Sequence, residues 1–407
     1  MFPFRNARAF SAFKYRNYRI YWSGLLVAVT GWQIMTFTQL WLIYDLTHSA
    51  LYLGLAGGIN GGVNICLSVF SGVFVDRVDR RKLLLVTQSS MAIQAFALAI
   101  LTVTHTINVW HILVMTAFTG ASSAFDSPGR QALVPQLVDD PKDIPPAVAM
   151  ASSIWSAARV IGPALAGVFL ATIGAALGFF VTAIGYSGMV FTLSRLDLGN
   201  RVVPAARSRL LVEFKEGWRY VLSDRTFTIL MAMTFLNSVF GQSYEYLLPV
   251  FAKDILEVGP TGYGFLMASA GSGAVGGILA VAALSHRGNR GKQLLAGNIL
   301  FGVFLILFSL SDWYIPSLAL IGIASFFNAM YMTNVLTLLQ SLVPDRLRGR
   351  VMAIYTLTWS LSTLGGMQAG FVTHALNAPM AVIIGAVIIL GFALFVTLSY
   401  PRIRELE

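Results

Sequence analysis

Charge is what this sequence has least of. Asp, Glu, Lys and Arg make up 11% of its 407 residues, against roughly 25% in a soluble domain. That shortage excludes an ordinary water-soluble globule. Cysteine is nearly absent too, since Cys66 stands alone inside an apolar stretch, and an intrachain disulfide is excluded. Met1 to Arg19 is basic and aromatic, with neither the apolar core nor the small-residue cleavage site of a signal peptide. Also missing are paired His/Cys metal spacings, a Walker loop, a G-x-S-x-G nucleophile turn and an HExxH helix. His48, His105, His111, His286 and His374 all fall near the ends of apolar segments, where a wet interfacial histidine is ordinary. No enzyme, metal or cofactor is expected. Without a nucleotide loop, any transport must run on a gradient or downhill.

What the chain has instead is apolar length. It is 56% hydrophobic, and twelve segments of roughly 20 residues are each long enough to cross a ~30 Å hydrocarbon core. They run over Tyr18–Tyr44, Leu51–Val75, Leu83–Val103, Val109–Ala124, Ala147–Ile173 and Ala175–Leu193, then Thr226–Phe251, Tyr263–Leu284, Leu294–Leu310, Ile315–Leu339, Val351–His374 and Met380–Tyr400. Lipid offers backbone amides no partner, so helices are predicted for all twelve. Asp126 to Pro135 reads as a loop after the fourth span.

The net charge of +10 is a matter of topology. Cations precede the first span (Arg5, Arg8, Lys14, Arg16, Arg19) and follow the second (Arg77, Arg80, Arg81, Lys82), and they cluster again at 195–225, 287–292, 346–350 and 402–404. The alternate set of loops has almost none beyond Lys253. By the positive-inside bias both termini are cytoplasmic. A lipid bilayer is the partner this implies, and nucleic acid is not. Leu210–Leu222, inside the polar stretch, carries Leu211, Phe214, Trp218 and Val221 on one face and reads as a cytoplasmic surface helix.

An internal repeat divides the chain. Asp76–Lys82 aligns with His286–Lys292 at an offset of 210, Gln131–Pro135 with Gln340–Pro344 at 209, and Gly162–Gly167 with Gly365–Gly370 at 203. The pattern implies two six-helix halves, residues 1–196 and 226–407, joined by a linker over 197–225. Small residues mark where helices approach closely in lipid. Gly61 on the second span and Gly366 and Gly370 on the eleventh form one set. Gly162 and Gly167 on the fifth, with Pro163 between them, and Gly273 and Gly277 on the eighth form the other.

The stretch Gly72-Val-Phe-Val-Asp76-Arg77-Val-Asp79-Arg80-Arg81-Lys82 packs six charges into seven residues. It resembles the loop between helices 2 and 3 of the major facilitator superfamily, G-x-x-x-D-R-x-G-R-R/K, with Asp79 in place of the usual glycine. The resemblance implies a gating role for Gly72, Asp76, Arg77, Arg80 and Arg81. Asp126 on the fourth helix would face those arginines, and Asp76 would meet the start of helix 11 near Arg350. It also implies that helices 2, 5, 8 and 11 cross between the halves. Gly162-Pro163-x-x-x-Gly167 resembles the Gly-Pro motif of export-type members. Phe125–Pro135, Ala158–Pro163 and Val343–Arg350 look like the branch that includes enterobactin exporters and macrolide efflux proteins.

Charges inside spans remain, each costing at least ~2.5–3.5 kcal/mol to insert. Arg159 has two readings, pairing with an anionic substrate or carboxylate, or a static pair within its half. Glu245, the one acid well inside a span of the second half, reads either as a proton carrier or as an outer-gate residue. The expected protein is an all-α, twelve-helix inner-membrane transporter, a monomer that exports an amphipathic small molecule on the proton gradient. Trp32, Phe37, Trp41, Phe240, Tyr244, Phe327, Met330 and Tyr331 are candidates to line its cavity. An importer or lipid transporter on the same fold is the alternative, and a non-transporting sensor is a more distant one.

Overall fold

The computed structural model describes residues 8–75, 78–197, 210–284 and 288–406, and among these there is helix and no strand. In chain order the helices are α1 (Arg16–Thr47), α2 (Ala50–Val75), α3 (Arg80–Val103), α4 (Val109–Leu133), α5 (Ile144–Thr172), α6 (Ala175–Ser194), α7 (Leu210–Ser223) and α8 (Arg225–Leu236). Then follow α9 (Tyr244–Val250), α10 (Gly259–Leu284), α11 (Arg290–Ser309), α12 (Tyr314–Leu342), α13 (Asp345–Ser360), α14 (Ser362–Ala375), α15 (Ala378–Ser399) and the short α16 (Pro401–Arg404).

Short polar residues set the helix starts by accepting the first free backbone N–H groups. Asp79 accepts from Lys82 N at 3.1 Å, Asp224 from Thr226 N at 2.7 Å and Asn377 from Met380 N at 2.8 Å. Asn108 accepts from Trp110 N at 3.2 Å while His111 accepts the Asn108 N–H at 3.1 Å, closing a capping box on α4. Asp79 therefore has work that glycine cannot do: it begins α3.

Nine helices among the described residues are long and apolar enough to cross a membrane: α1, α2, α3, α5, α6, α10, α11, α12 and α15. The three other expected spans look different. The fourth does not end at Ala124. α4 runs on to Leu133 with Pro128 inside it, so the expected loop at Asp126 is helical. Arg130 pairs with Asp126 one turn back, bridging the turn that proline weakens. The seventh span is broken: α8 gives way to a π turn at Asn237–Gly241, and α9 to another at Phe251–Ile255. The eleventh is interrupted between α13 and α14 at Leu361, and α13 opens with Asp345, Arg346, Arg348 and Arg350.

The chain divides into two compact units, one of Met1–Leu42 with Val63–Arg207, the other of Ile43–Gly62 with Ser208–Glu407. In the first unit, α1 and α6 cross at small residues. Thr182 donates to the Gly31 carbonyl at 2.9 Å, and a Cβ on Gly185 would lie 2.9 Å from the Val27 carbonyl oxygen. The segment Arg8–Lys14 is tied to the start of α5 by Lys14, whose ammonium meets Asp143 at 2.6 Å. The hydrogen bond that Lys14 donates to Asp143 raises the Lys14 pKa above its ordinary value. In the second unit, an apolar cluster including Leu230, Leu294, Tyr331, Val335, Ile354 and Val396 joins α8, α11, α12, α13 and α15. Large apolar side chains also point outward, such as Ile93 at 68% and Leu398 at 76% exposed. Such a surface suits hydrocarbon as its solvent. α7 forms where the amphipathic segment was predicted, with Val221 buried and Trp218 exposed.

Candidate functional site

In the first unit the polar chemistry gathers on α4. Asp126 is 6% exposed. Its carboxylate accepts from Arg130 Nε at 2.5 Å, from Gln88 Nε2 at 2.6 Å and from Thr87 Oγ1 at 3.0 Å. The buried phenols of Tyr21 on α1 and Tyr186 on α6 lie within electrostatic reach of Arg130. Four helices therefore converge on one ion pair. Arg130 Nη1 is buried with no partner among the described residues, so the pair retains one free donor group for a substrate, a water or a moving side chain.

The cations after α2 act on helix ends. Arg81 donates from Nε to the Leu193 carbonyl at 2.8 Å and from Nη2 to the Ser194 carbonyl at 2.5 Å. It thereby caps α6 at the negative end of its dipole. Arg80 reaches the Ala132 carbonyl near the end of α4 at 3.4 Å. Gly72 lies in the last turns of α2, and Asp76 and Arg77 lie outside the described residues. Arg159 is half-buried on α5. Gly162 and Pro163 are buried, and a Cβ on Gly162 would lie 2.5 Å from Gln33 Cβ of α1. Gly167 is buried one turn further on.

In the second unit the break in the seventh span places a cluster of polar side chains inside apolar surroundings. The π turn at Asn237–Gly241 carries buried Asn237 and Ser238, and Gln242 follows it. Asn237 donates to Asn298 Oδ1 at 3.1 Å, and the Tyr244 hydroxyl lies 3.2 Å from Ser325 Oγ. Asn237 Oδ1, Ser238 Oγ and Gln242 Nε2 have no partner among the described residues. Three unanswered groups in one and a half turns are costly in a core, at about 1–3 kcal/mol each. A π turn with orphaned polar atoms is a common place for a ligand. An aromatic ring adjoins it: a Cβ on Gly241 would lie 2.9 Å from the Phe301 ring, and Tyr244 packs edge-on to Phe301 at 6.4 Å.

Glu245 is half-buried in the first turn of α9. Its neighbour Tyr246 presses its ring against glycines. A Cβ on Gly366 would lie 2.7 Å from that ring, and one on Gly57 would lie 2.9 Å from it. α2 and α14 run nearly backbone to backbone there. A Cβ on Gly370 would meet the Ala50 carbonyl at 2.7 Å, and one on Gly61 would collide with Thr363. Gly273 and Gly277, expected against the fifth span, have α12 as their close neighbour, facing the carbonyls of Gly322 and Phe326. Small residues on adjacent helices of one half give the same sequence pattern as residues between halves. Farther along, Tyr44 donates to Asp254, and Lys253 meets Asp45 at 2.5 Å, so both latch the end of α1 to the second π turn.

Sequence reasoning named Asp126 but not its partner Arg130, although the i, i+4 spacing was there to read. It passed over Asn237, Ser238 and Gln242, whose signal was polarity inside an apolar span. It missed Tyr44 and Asp254, which only folding brings together.

The family model described as transmembrane secretion effector matches residues 7–407. The staphyloferrin A transporter of Staphylococcus aureus is 29% identical over 80% of this chain and 82% of its own. The multidrug efflux pump Tap of Mycolicibacterium fortuitum is 22% identical over 90% and 91%. The enterobactin exporter of Shigella boydii is 24% identical over 77% and 74%. Among solved structures, a POT family transporter in complex with a thioalcohol-conjugated peptide matches 95% of this chain and 96% of its own with a TM-score of 0.79 at 11% identity. A bacterial homologue of the lysosomal transporter Spinster matches 94% and 96% with a TM-score of 0.71 at 15% identity.

Proposed function

This chain belongs to the transmembrane secretion effectors of the major facilitator superfamily, and from that premise we propose that it exports an amphipathic organic molecule by proton antiport and alternating access. The substrate class is that of siderophores and drugs, as the names of the related exporters suggest. The observation that carries the reading is the broken seventh span. Unanswered amide and hydroxyl groups at Asn237, Ser238 and Gln242 sit beside an aromatic ring, which suits a molecule with both polar and greasy surface.

The protein works as a monomer of twelve membrane-crossing helices in two halves, residues 1–196 and 226–407, with 197–225 as cytoplasmic linker. In this count α4, the α8–α9 run and the α13–α14 run supply the remaining three crossings. Both termini lie in the cytoplasm of the inner membrane. Gly72, Asp76, Arg77, Arg80, Arg81 and Asp126 form the cytoplasmic gate. Gly61, Gly366 and Gly370 let the moving helices approach, while Gly162, with Pro163 and Gly167 on the same helix, seats α5 on α1, and Gly273 and Gly277 seat α10 on α12.

Glu245 carries the coupling proton and Arg159 attracts an anionic group of the substrate. An exporter of this kind must bind proton and substrate to alternate states of one cycle. The test is proton release from purified protein on addition of the substrate picked out by an efflux screen in a pump-deficient strain. Wild type releases protons and Glu245→Gln releases fewer. Equal release and equal uphill efflux in the variant would assign Glu245 to an outer gate.

A further inference from the structure

One concavity collects cations apart from the groups above. A pocket of about 550 Å³ opens where α7 meets the start of α13, and Glu216, Arg219, Tyr220, Ser223, Arg346 and Arg350 line it. That volume falls within the ~300–1,000 Å³ usual for small-molecule sites. The α7 residues recur at helical spacing on one face, and the two arginines of α13 stand one turn apart. Three guanidiniums face a single carboxylate, so the pocket is net positive.

The partners are unevenly distributed. Arg350 pairs with Glu216, and Arg348 beside it pairs with Asp345 at 2.6 Å. Arg219 and Arg346 have no acceptor among the described residues. A loose row of surface arginines would be unremarkable, but this cleft is built. Gly217 is buried, and a Cβ there would lie 3.0 Å from Arg350 Cβ and 3.2 Å from its carbonyl oxygen. Glycine lets α7 approach this closely without displacing Arg350, and so holds both sets of arginines in one concavity. The Tyr220 ring packs against Phe227 at 5.2 Å, which fixes a phenol at the wall.

We propose that this pocket binds a phosphate-bearing anion. Arg219 and Arg346 grip the phosphate oxygens, Arg350 is oriented beside them by Glu216, and Tyr220 supplies an O–H donor. Guanidinium is suited to this by its planar fork of donors. The phosphate comes either from an anionic phospholipid headgroup or from a soluble phosphate ester. Trp218 and Leu222, exposed one turn apart on the opposite flank of α7, give the same helix a surface for lipid. The site does not rest on the export reading.

The test uses the full chain purified in detergent and has two arms. Native mass spectrometry follows binding of phosphatidylglycerol against phosphatidylcholine, and titration calorimetry follows inorganic phosphate and glycerol 3-phosphate. Wild type binds one of these probes saturably. Arg219→Gln/Arg346→Gln weakens it about ten- to thirtyfold, and Arg346→Lys recovers part of the loss. Selective phosphatidylglycerol binding makes the source lipid, and calorimetric binding makes it soluble. Both arginines are exposed, so the variant should fold. Should it not, Arg346→Gln alone carries the same comparison. Saturable binding in neither arm, or wild-type affinity in the variants, overturns the proposal.

Discussion

Asp126 and Arg130 illustrate how a buried charge is tolerated and what its loss costs. With side chains 9% and 11% exposed, neither ion has water to fall back on. Removing one partner leaves the other buried and alone, a loss of about 3–5 kcal/mol. Asp126→Asn is therefore expected to lower the unfolding midpoint of the purified protein sharply. Asp126→Met combined with Arg130→Leu should recover part of that stability, because apolar residues replace a buried ion pair at little cost while Gln88 loses its acceptor. If Asp126 belongs to the gate, the double variant stays inactive in an efflux assay, and full efflux from it would make the pair purely structural. At this scale the sequence was half legible. A charge in a span can be read as expensive from one residue, but Thr87 and Gln88 are 39 and 38 residues away from Asp126, and nothing local announces them.

At the scale of the element, broken helices hold the information that periodicity hides. The seventh span reads as one apolar run, and composition cannot show that its backbone slips to i, i+5 bonding at Asn237–Gly241. Two substitutions there separate scaffold from site. Asn237→Ala strips Asn298 of its donor and is expected to cost about 1–3 kcal/mol in thermal unfolding. Ser238→Ala removes a hydroxyl with no partner among the described residues, so stability should hold while the apparent KM for the exported molecule rises. An unchanged KM would remove Ser238 from the substrate site. The close crossing of α2 and α14 makes a third prediction. Gly61→Leu drives a side chain into Thr363, an overpacking of about 1–3 kcal/mol, and should slow efflux more than it lowers expression. Asn108, Asp224 and Asn377 each accept a first-turn backbone N–H, a signal carried by residue type that the segment bounds did not use. Pro128 misled, because a proline with an ion pair spanning its turn does not end a helix.

At the scale of the whole molecule, hydropathy and the repeat were enough to imply a helical membrane protein in two halves, because lipid leaves the backbone few choices, and the resemblance carried by Gly72–Lys82 added the transporter reading. The family match over residues 7–407 agrees. Interfaces were less legible. Glycine on one helix says that something comes close, and Gly273 shows that the something can be a neighbour such as α12. The central claim is that a proton gradient drives export, and everted membrane vesicles test it most directly. Vesicles bearing the chain are energised so that their interior is acid, and a labelled siderophore, a macrolide and an amphipathic dye are offered outside. The account predicts that one of them accumulates above the level in vesicles lacking the chain, and that nigericin, which collapses the pH gradient, abolishes the excess. Accumulation that survives nigericin, or that appears only in right-side-out vesicles, would contradict it.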